Sequence, residues 1–393
     1  MTGTTPSPDV LVIGAGALGC HAAWQLRQRG LNVLVLEAGP TPAAQTTRAA
    51  AGFVVHFSTF HRPQWEAQEW HLQQYGIQFY TDLAHDSDRD IGFNPSGIAY
   101  IHITEDGWNA AQAAIAGARS HGTTLEILSH RRAGQVVPQI RFAQTAGIAF
   151  DPRAIRLRAG DAIALLADRL AEQGVDFQFN TQVQGFVRNG DRLTGVRTNA
   201  GPIYAPTIVV AAGAWSRPLL KGLVAPLAAE PRLVARYTTA PLPGITPDMP
   251  MLMFSDSVHR FFIREERGGL LIGGADPEPL PADRLVDADA PPPVGALPHD
   301  HAHRMRTYLR TVETIAPSLA RAEIRHSDAG LPVYTADRRF IADSVPGHPG
   351  LYLLGACNEA GITHGPGLGR HLAQLIVEGR TDHDRARYAF DRF

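Results

Sequence analysis

The stretch Val10 to Glu37, VLVIGAGALGCHAAWQLRQRGLNVLVLE, constrains this chain more than any other. An apolar run (Val10 to Ile13) ends in Gly14-Ala15-Gly16-Ala17-Leu18-Gly19. Leu18, Ala22 and Leu26 then share one helical face, and Gly30 turns the chain into a second apolar run ending on Glu37. Strand, glycine turn, helix and strand in this order make a Rossmann-like unit. Gly14 allows the tight turn, Gly16 lets a pyrophosphate approach the backbone, and Gly19 lets the helix pack closely on the strand, while the first-turn N–H groups face the phosphates. Glu37 can accept hydrogen bonds from an adenosine ribose, and its charge disfavours the 2′-phosphate of NADP. The stretch predicts a dinucleotide site.

At 393 residues the chain exceeds the usual size of one hydrophobic core, so two domains are expected. A hydrophobic content of 44%, a charged content of 19% and a formal net charge of -2 are those of a soluble globular protein and give no electrostatic case for nucleic acid or an anionic membrane. The expected partner is a small molecule. No apolar run is long enough to span a bilayer and Met1 to Asp9 has no signal-peptide character, so the expected address is cytoplasmic. Cys20 and Cys357 match no disulfide framework or zinc spacing, and the histidines show no metal-ligand spacing. Lys221, the only lysine, is the one candidate for Schiff-base chemistry.

Along the chain, Thr46-Thr47-Arg48-Ala-Ala-Ala51-Gly52 offers little bulk to keep a planar ligand away. Helices are predicted over Pro63 to Tyr80, from Thr104 through Ala118, over Arg158 to Gln173 and over His303 to Ile315. Strands are predicted at Gly97 to Ile103, between Val175 and Ala205, and at His259 to Arg264 and Gly269 to Gly273. Thr207 to Ser216 reads as a buried strand ending in a small-residue turn, and Pro277 to Pro298 as an exposed loop. Leu351 to Gly355 is an apolar strand followed by the glycine-rich run Cys357 to Gly369, which opens a helix and points N–H groups and a positive dipole end forward.

Four of these segments, in order, resemble the FAD-dependent D-amino acid oxidase family in its glycine oxidase and sarcosine oxidase branch. They are Gly14 to Gly19 with Glu37, Thr46 to Gly52, Ala212-Gly213-Ala-Trp215-Ser216, and Gly330 to Asp337 with the turn Asn358 to Gly369. The resemblance implies an α/β fold (α+β overall): a Rossmann-like FAD-binding domain of residues 1–85, 145–222 and 322–393, and a discontinuous antiparallel-sheet substrate domain of residues 86–144 and 223–321. It implies that Ala17, Leu18, Glu37, Ala38, Thr46, Thr47, Ala51, Gly52, Val183 and Cys357, Asn358, Glu359, Ala360, Gly361, Ile362 and Thr363 contact FAD, with Ala15, Arg48, Ala212, Gly213, Trp215 and Gly330 in the surrounding motifs. Family reactions pass a hydride from the carbon beside a neutral amine to the flavin, and oxygen or another acceptor restores it.

The departures concern the substrate. The family's carboxylate-gripping tyrosine and two arginines fall on Phe261, Pro332 and Glu359, none of which keeps the family's residue. A carboxylate at 359 would repel a substrate carboxylate unless Arg48, Arg260 or Arg264 approaches. The expected substrate is therefore an amine, or an amino acid held in another way. Glu359 is a candidate partner for a substrate ammonium, with holding of the turn as the alternative. His364 is a candidate proton shuttle or helix cap, and Arg260 and Arg264, four apart on a strand, share one face. The cysteine used for covalent flavin attachment falls on Gly330 and the oxygen-activating lysine on Leu271, so FAD is expected to be non-covalent. Three classes remain open: an amine-oxidising flavoenzyme, a flavin-dependent 2-hydroxy acid dehydrogenase, and a flavin-bearing subunit whose own pocket is idle.

Overall fold

The computed structural model describes residues 7–56, 66–190, 192–255, 260–274, 286–297, 310 and 313–393. The strand Val10–Ile13 lies inside a six-stranded sheet ordered Ile341–Ser344, Leu351–Gly355, Thr207–Val210, Val10–Ile13, Val33–Leu36, Asp176–Gln178. Five of these strands are parallel, and Ile341–Ser344 runs antiparallel on the edge. Strands covered on both faces read as unbroken apolar runs, as VLVI and VLVL do here. One face is covered by the helices Ala17–Arg27, Ala67–His85, Ala159–Glu172 and Gly361–Glu378, and the other by the three-stranded sheet Val183–Asn189, Arg192–Thr198, Gly201–Tyr204.

The closing helix Gly361–Glu378 is the keystone of the helical side. A Cβ on Gly365 or Gly369 would lie 2.5 Å from His21 Nδ1 or 2.6 Å from the His21 carbonyl oxygen, and one on Gly367 would lie 2.6 Å from Leu72 Cδ2. Three glycines thus let this helix touch both the first helix and the helix Ala67–His85.

The second sheet has eight strands, ordered Ile324–Gly330, Val234–Thr239, Gly269–Gly274, Arg260–Glu266, Met251–Ser255, Ile98–His102, Gly147–Asp151, Glu126–Ile127. Every pairing is antiparallel except that of Met251–Ser255 with Ile98–His102. Gly147–Asp151 and Ile324–Gly330, which boundaries at 145 and 322 assign to the nucleotide-binding part, hydrogen-bond in this sheet. Their partners are distant in sequence, so local pattern could not reveal them.

The helix after Thr104 spans Glu105–Ser120, and the Thr104 hydroxyl accepts from the Gly107 N–H at 3.1 Å. The expected helix from Pro63 begins at Ala67, residues 63–65 lying outside the described residues. Of the loop 277–298, residues 286–297 are described, mostly exposed or half-buried, with a short 3-10 turn at Val294–Ala296; the helix 303–315 falls largely outside the described residues, and Glu313 to Ile315 forms a turn. Among the described residues no helix is long and apolar enough to cross a membrane.

Candidate functional site

The turns after the parallel strands gather at one sheet edge, where open α/β sheets bind ligands. Gly14 has φ +107°, and a Cβ there would sit 2.6 Å from the Ala211 carbonyl oxygen; one on Gly19 would sit 1.8 Å from that of Gly14. At Gly16 the nearest atom is Thr46 Oγ1 at 3.7 Å, so this position opens onto the site. The Thr46 hydroxyl accepts from the Ala17 N–H at 3.1 Å, and the Glu37 carboxylate accepts from the Ala15 and Gly39 N–H groups, both at 2.8 Å. Glu37 therefore braces the turn, with further acceptor positions for ribose hydroxyls. The Thr181 N–H donates to the Glu37 carbonyl at 2.8 Å, which brings the strand beginning at Val183 beside Glu37 and Ala38. Ala212 and Gly213 (φ +54°) follow Ala211, and the Trp215 ring packs on the core beneath.

The turn before the closing helix holds Ala356, Asn358 and Glu359 at φ 54°, 45° and 64°. Left-handed backbone at non-glycine residues is strained and clusters at functional sites. Asn358 holds this turn: its N–H donates to the Val333 carbonyl at 2.9 Å, its side-chain oxygen accepts from the Thr335 N–H at 3.2 Å, and its amide NH2 donates to the Ala356 carbonyl at 2.6 Å.

The N-cap residues Gly16 and Ala360 give the helix Ala17–Arg27 and the closing helix no side-chain cap, as in Ala67–His85 and Ala159–Glu172, and only the Thr46 hydroxyl, from another segment, answers the Ala17 N–H among the described residues. The two uncapped ends meet, a Cβ on Gly361 lying 3.3 Å from Cys357 Cβ and 4.0 Å from Leu18 Cδ2. Ile362 and Thr363 are buried behind them, and Thr363 Oγ1 donates to the Phe53 carbonyl at 2.8 Å.

The segment between the two turns is held tightly. Gly52 has φ +77°, and a Cβ would lie 1.9 Å from the Leu157 carbonyl oxygen. A Cβ on Gly330 would lie 2.4 Å from Ala49 Cβ and 2.9 Å from Gln45 Nε2. Both polar atoms of the Gln45 amide are buried without a hydrogen-bond partner among the described residues. An unanswered donor and acceptor beside a glycine turn and two uncapped helix ends suits a dinucleotide whose other end is a polar heterocycle.

The eight-stranded sheet corrects two expectations. On Arg260–Glu266 the residues Phe261 and Ile263 face a core with Tyr237, Leu252 and Phe254, and the Phe261 ring stacks on Phe254 at 4.2 Å between centroids. Phe261 therefore points away from the cofactor edge. Phe262 faces the site side, edge-on to Phe53 at 5.0 Å, in an apolar face with Tyr100, Met253 and Leu271.

Arg264 is on the site face, but its guanidinium is committed: Nε donates to the Ala51 carbonyl at 2.6 Å, Nη1 to the Glu265 carbonyl at 2.8 Å, and Nη2 pairs with Glu266 at 2.7 Å. Arg48 donates to the Ala329 carbonyl at 3.0 Å. The side chain of Arg260 lies outside the described residues.

His364, read as a candidate proton shuttle or helix cap, sits in the helical core. It is buried, 2.8 Å from the Glu69 carboxylate, with Nδ1 3.2 Å from the Ala360 carbonyl oxygen; Glu69 also accepts from the buried Tyr388 hydroxyl at 3.2 Å. This network ties three parts of the helical core together.

Four residues escaped the sequence reading. Arg236, buried on Val234–Thr239, has its pKa pushed down to about 9 by burial and by Arg264, against the nearby Asp328, Glu266 and Glu359 carboxylates; it stays charged at neutral pH. A lone charged residue in a strand otherwise free of charge was its signal. Gln45 gave none. His56 and Asp151, both buried, approach to 3.4 Å across the junction between the two sheets, and His56 Nε2 lies 2.8 Å from Gln74 Oε1.

A profile described as FAD dependent oxidoreductase matches residues 9–375. The chain belongs to the FAD-dependent oxidoreductase (DAO) family. Members of this family use FAD. This family member is 25% identical, over 98% of its length, to 4-methylaminobutanoate oxidase (formaldehyde-forming) of Paenarthrobacter nicotinovorans, covering 45% of that protein. It is 24% identical, over 94% of its length, to the mitochondrial pyruvate dehydrogenase phosphatase regulatory subunit of Mus musculus, covering 41% of it. The chain thus spans under half the length of these two curated relatives. Among solved structures it is similar to L-proline dehydrogenase from P. horikoshii, with TM-score 0.83, 19% identity and 98% of each chain covered.

Proposed function

We propose that this chain is a flavoenzyme that oxidises the C–N bond of an amine, or of an N-substituted or unusual amino acid, to an imine. FAD, when bound, supplies the hydride acceptor. One observation carries the reading: two uncapped helix N-termini meet beside the apolar face of Tyr100, Met253, Phe262 and Leu271. Helix ends of this kind favour the negative charge of phosphates and of a reduced ring, and an apolar face keeps water from the reacting carbon.

In this reading Gly14 to Gly19 hold the pyrophosphate, and Glu37, Ala38 and Val183 the adenosine. Thr46 to Gly52 and Cys357 to Thr363 flank the flavin, and Ala212, Gly213 and Gly330 back it. Gly330, where the family's attaching cysteine falls, has no nucleophilic side chain, which supports non-covalent binding. The six-stranded sheet serves the cofactor, and the eight-stranded sheet the substrate. Oxygen or another acceptor completes the cycle.

The substrate is not gripped by its carboxylate in the way a simple amino acid would be. Arg264 is committed to the Ala51 carbonyl and to Glu266, and Glu359 places negative charge on the flavin turn. That also counts against a 2-hydroxy acid. The two similar proteins named for their substrates act on 4-methylaminobutanoate and L-proline, both secondary amines.

The test is an anaerobic titration of the FAD-loaded protein with sarcosine, 4-methylaminobutanoate, L-proline, N-methylbutylamine, glycine and D-alanine, following the visible flavin absorbance. Bleaching by a secondary amine is expected. Tight binding and fast turnover of glycine or D-alanine would refute the substrate argument. Likeness to a regulatory subunit supports a second reading, a flavin-bearing subunit with an idle pocket. No bleaching by any amine, with co-purification of a partner chain, would select it.

A further inference from the structure

We propose that Arg236, Arg264 and Arg48 form a reciprocal clamp that fixes residues 45–52 against the eight-stranded sheet, so that Arg236 positions FAD and does not grip the substrate. The inference rests on the FAD-binding reading above.

The helix Ala44–Ala49 has six residues, too few to be stable alone. Its last carbonyl groups lack intrahelical partners, and in a water-poor site something else must answer them. The sheet does so. Arg236 Nε donates to the Arg48 carbonyl at 2.8 Å and its Nη2 donates to the Thr47 carbonyl, while Arg264 Nε donates to the Ala51 carbonyl at 2.6 Å.

The helix also holds the sheet. Arg48 Nε donates to the Ala329 carbonyl at 3.0 Å, and its guanidinium lies 3.8 Å from the Asp328 carboxylate. Asp328 is the register partner of Arg236 on the neighbouring strand. Arg236 and Arg264 are 6% and 3% exposed. Glu266 pairs with Arg264, and Asp328 and Glu359 lie close enough to Arg236 to favour its charge.

A guanidinium fork can reach two successive carbonyl groups at once, and an ammonium, a point charge, cannot do so in the same geometry. With Nε and Nη2 both donating to backbone oxygens, the edge of the Arg236 fork that they form is committed to this segment. The clamped segment runs from Gln45, with its unanswered amide, to Gly52, at the edge where the two helix N-termini meet. Loosening it therefore disturbs the cofactor first.

The test compares FAD dissociation constants of the wild type, Arg236→Gln and Arg236→Lys by recovery of free-flavin fluorescence on dilution of the holoprotein. Arg236→Gln is expected to weaken FAD binding about tenfold, the scale of a lost charge-assisted hydrogen bond, and Arg236→Lys by less. Sarcosine and acetate, as carboxylate probes read by perturbation of the flavin spectrum, test the opposite role. A change in FAD affinity below about threefold, or probe affinity falling more than FAD affinity, overturns the proposal. If Arg236→Gln does not yield folded protein, the less buried Arg48→Gln is judged by the same limit. Absence of bleaching by amines would defeat the catalytic reading and leave this comparison intact.

Discussion

Gly19 shows how much of the site a single hydrogen atom decides. A methyl group there would lie 1.8 Å from the Gly14 carbonyl oxygen, within the backbone of the turn, where no rotamer relieves the clash. Gly19→Ala should cost about 3 kcal/mol or more and yield colourless protein, checked by thermal melting and visible absorbance. This was legible because the requirement is local: the turn, the helix and the strand it serves lie within thirty residues. For Arg264 the sequence showed only that it shares a face with Arg260, not which way that face turns or what its guanidinium holds. Its acceptor, the Ala51 carbonyl, is 213 positions away, and no local spacing shows which guanidinium is already engaged. Glu37 sits between these cases, its position foreseen and its bonds to Ala15 and Gly39 not.

Among the elements, the strand Arg260–Glu266 was recognised but its orientation was not. Alternation gives two faces, and a choice displaced by one residue exchanges them. Phe261 and Phe262 are both apolar, so the pattern could not say which one turns toward the cofactor edge. Phe261→Ala should lower stability by about 3–5 kcal/mol while the flavin spectrum stays unchanged. Phe262→Ala should shift that spectrum, because its ring rests on Phe53, whose carbonyl is held by Thr363 at the head of the closing helix. A shifted spectrum with Phe261→Ala alone would reverse the assignment. The closing helix was foreseen from its glycine-rich opening, yet the packing role of Gly365, Gly367 and Gly369 needed the neighbouring helices to be in place.

Across the whole molecule, the buried histidines make stability depend on acidity. Burial pushes the pKa of His21 down to about 3 and that of His371 down to about 4, from 6.5. Between those values and 6.5 the unfolded chain binds more protons than the native one, so this contribution is complete above pH 6.5 and declines as the pH falls. By pH 5 each group should remove about 2 kcal/mol, visible as a lower melting temperature than at pH 7, and His371→Asn should flatten the slope. Length suggested two parts, the first pattern was expected to return from about Thr145, and the family resemblance implied the second, antiparallel sheet, whereas the crossing strands Gly147–Asp151 and Ile324–Gly330 were not foreseen. The first helix leans on a helix that lies more than three hundred positions later. A nascent chain emerging from the ribosome must therefore keep its opening apolar surface sheltered until the closing helix has been made, and the prosthetic group cannot settle before then.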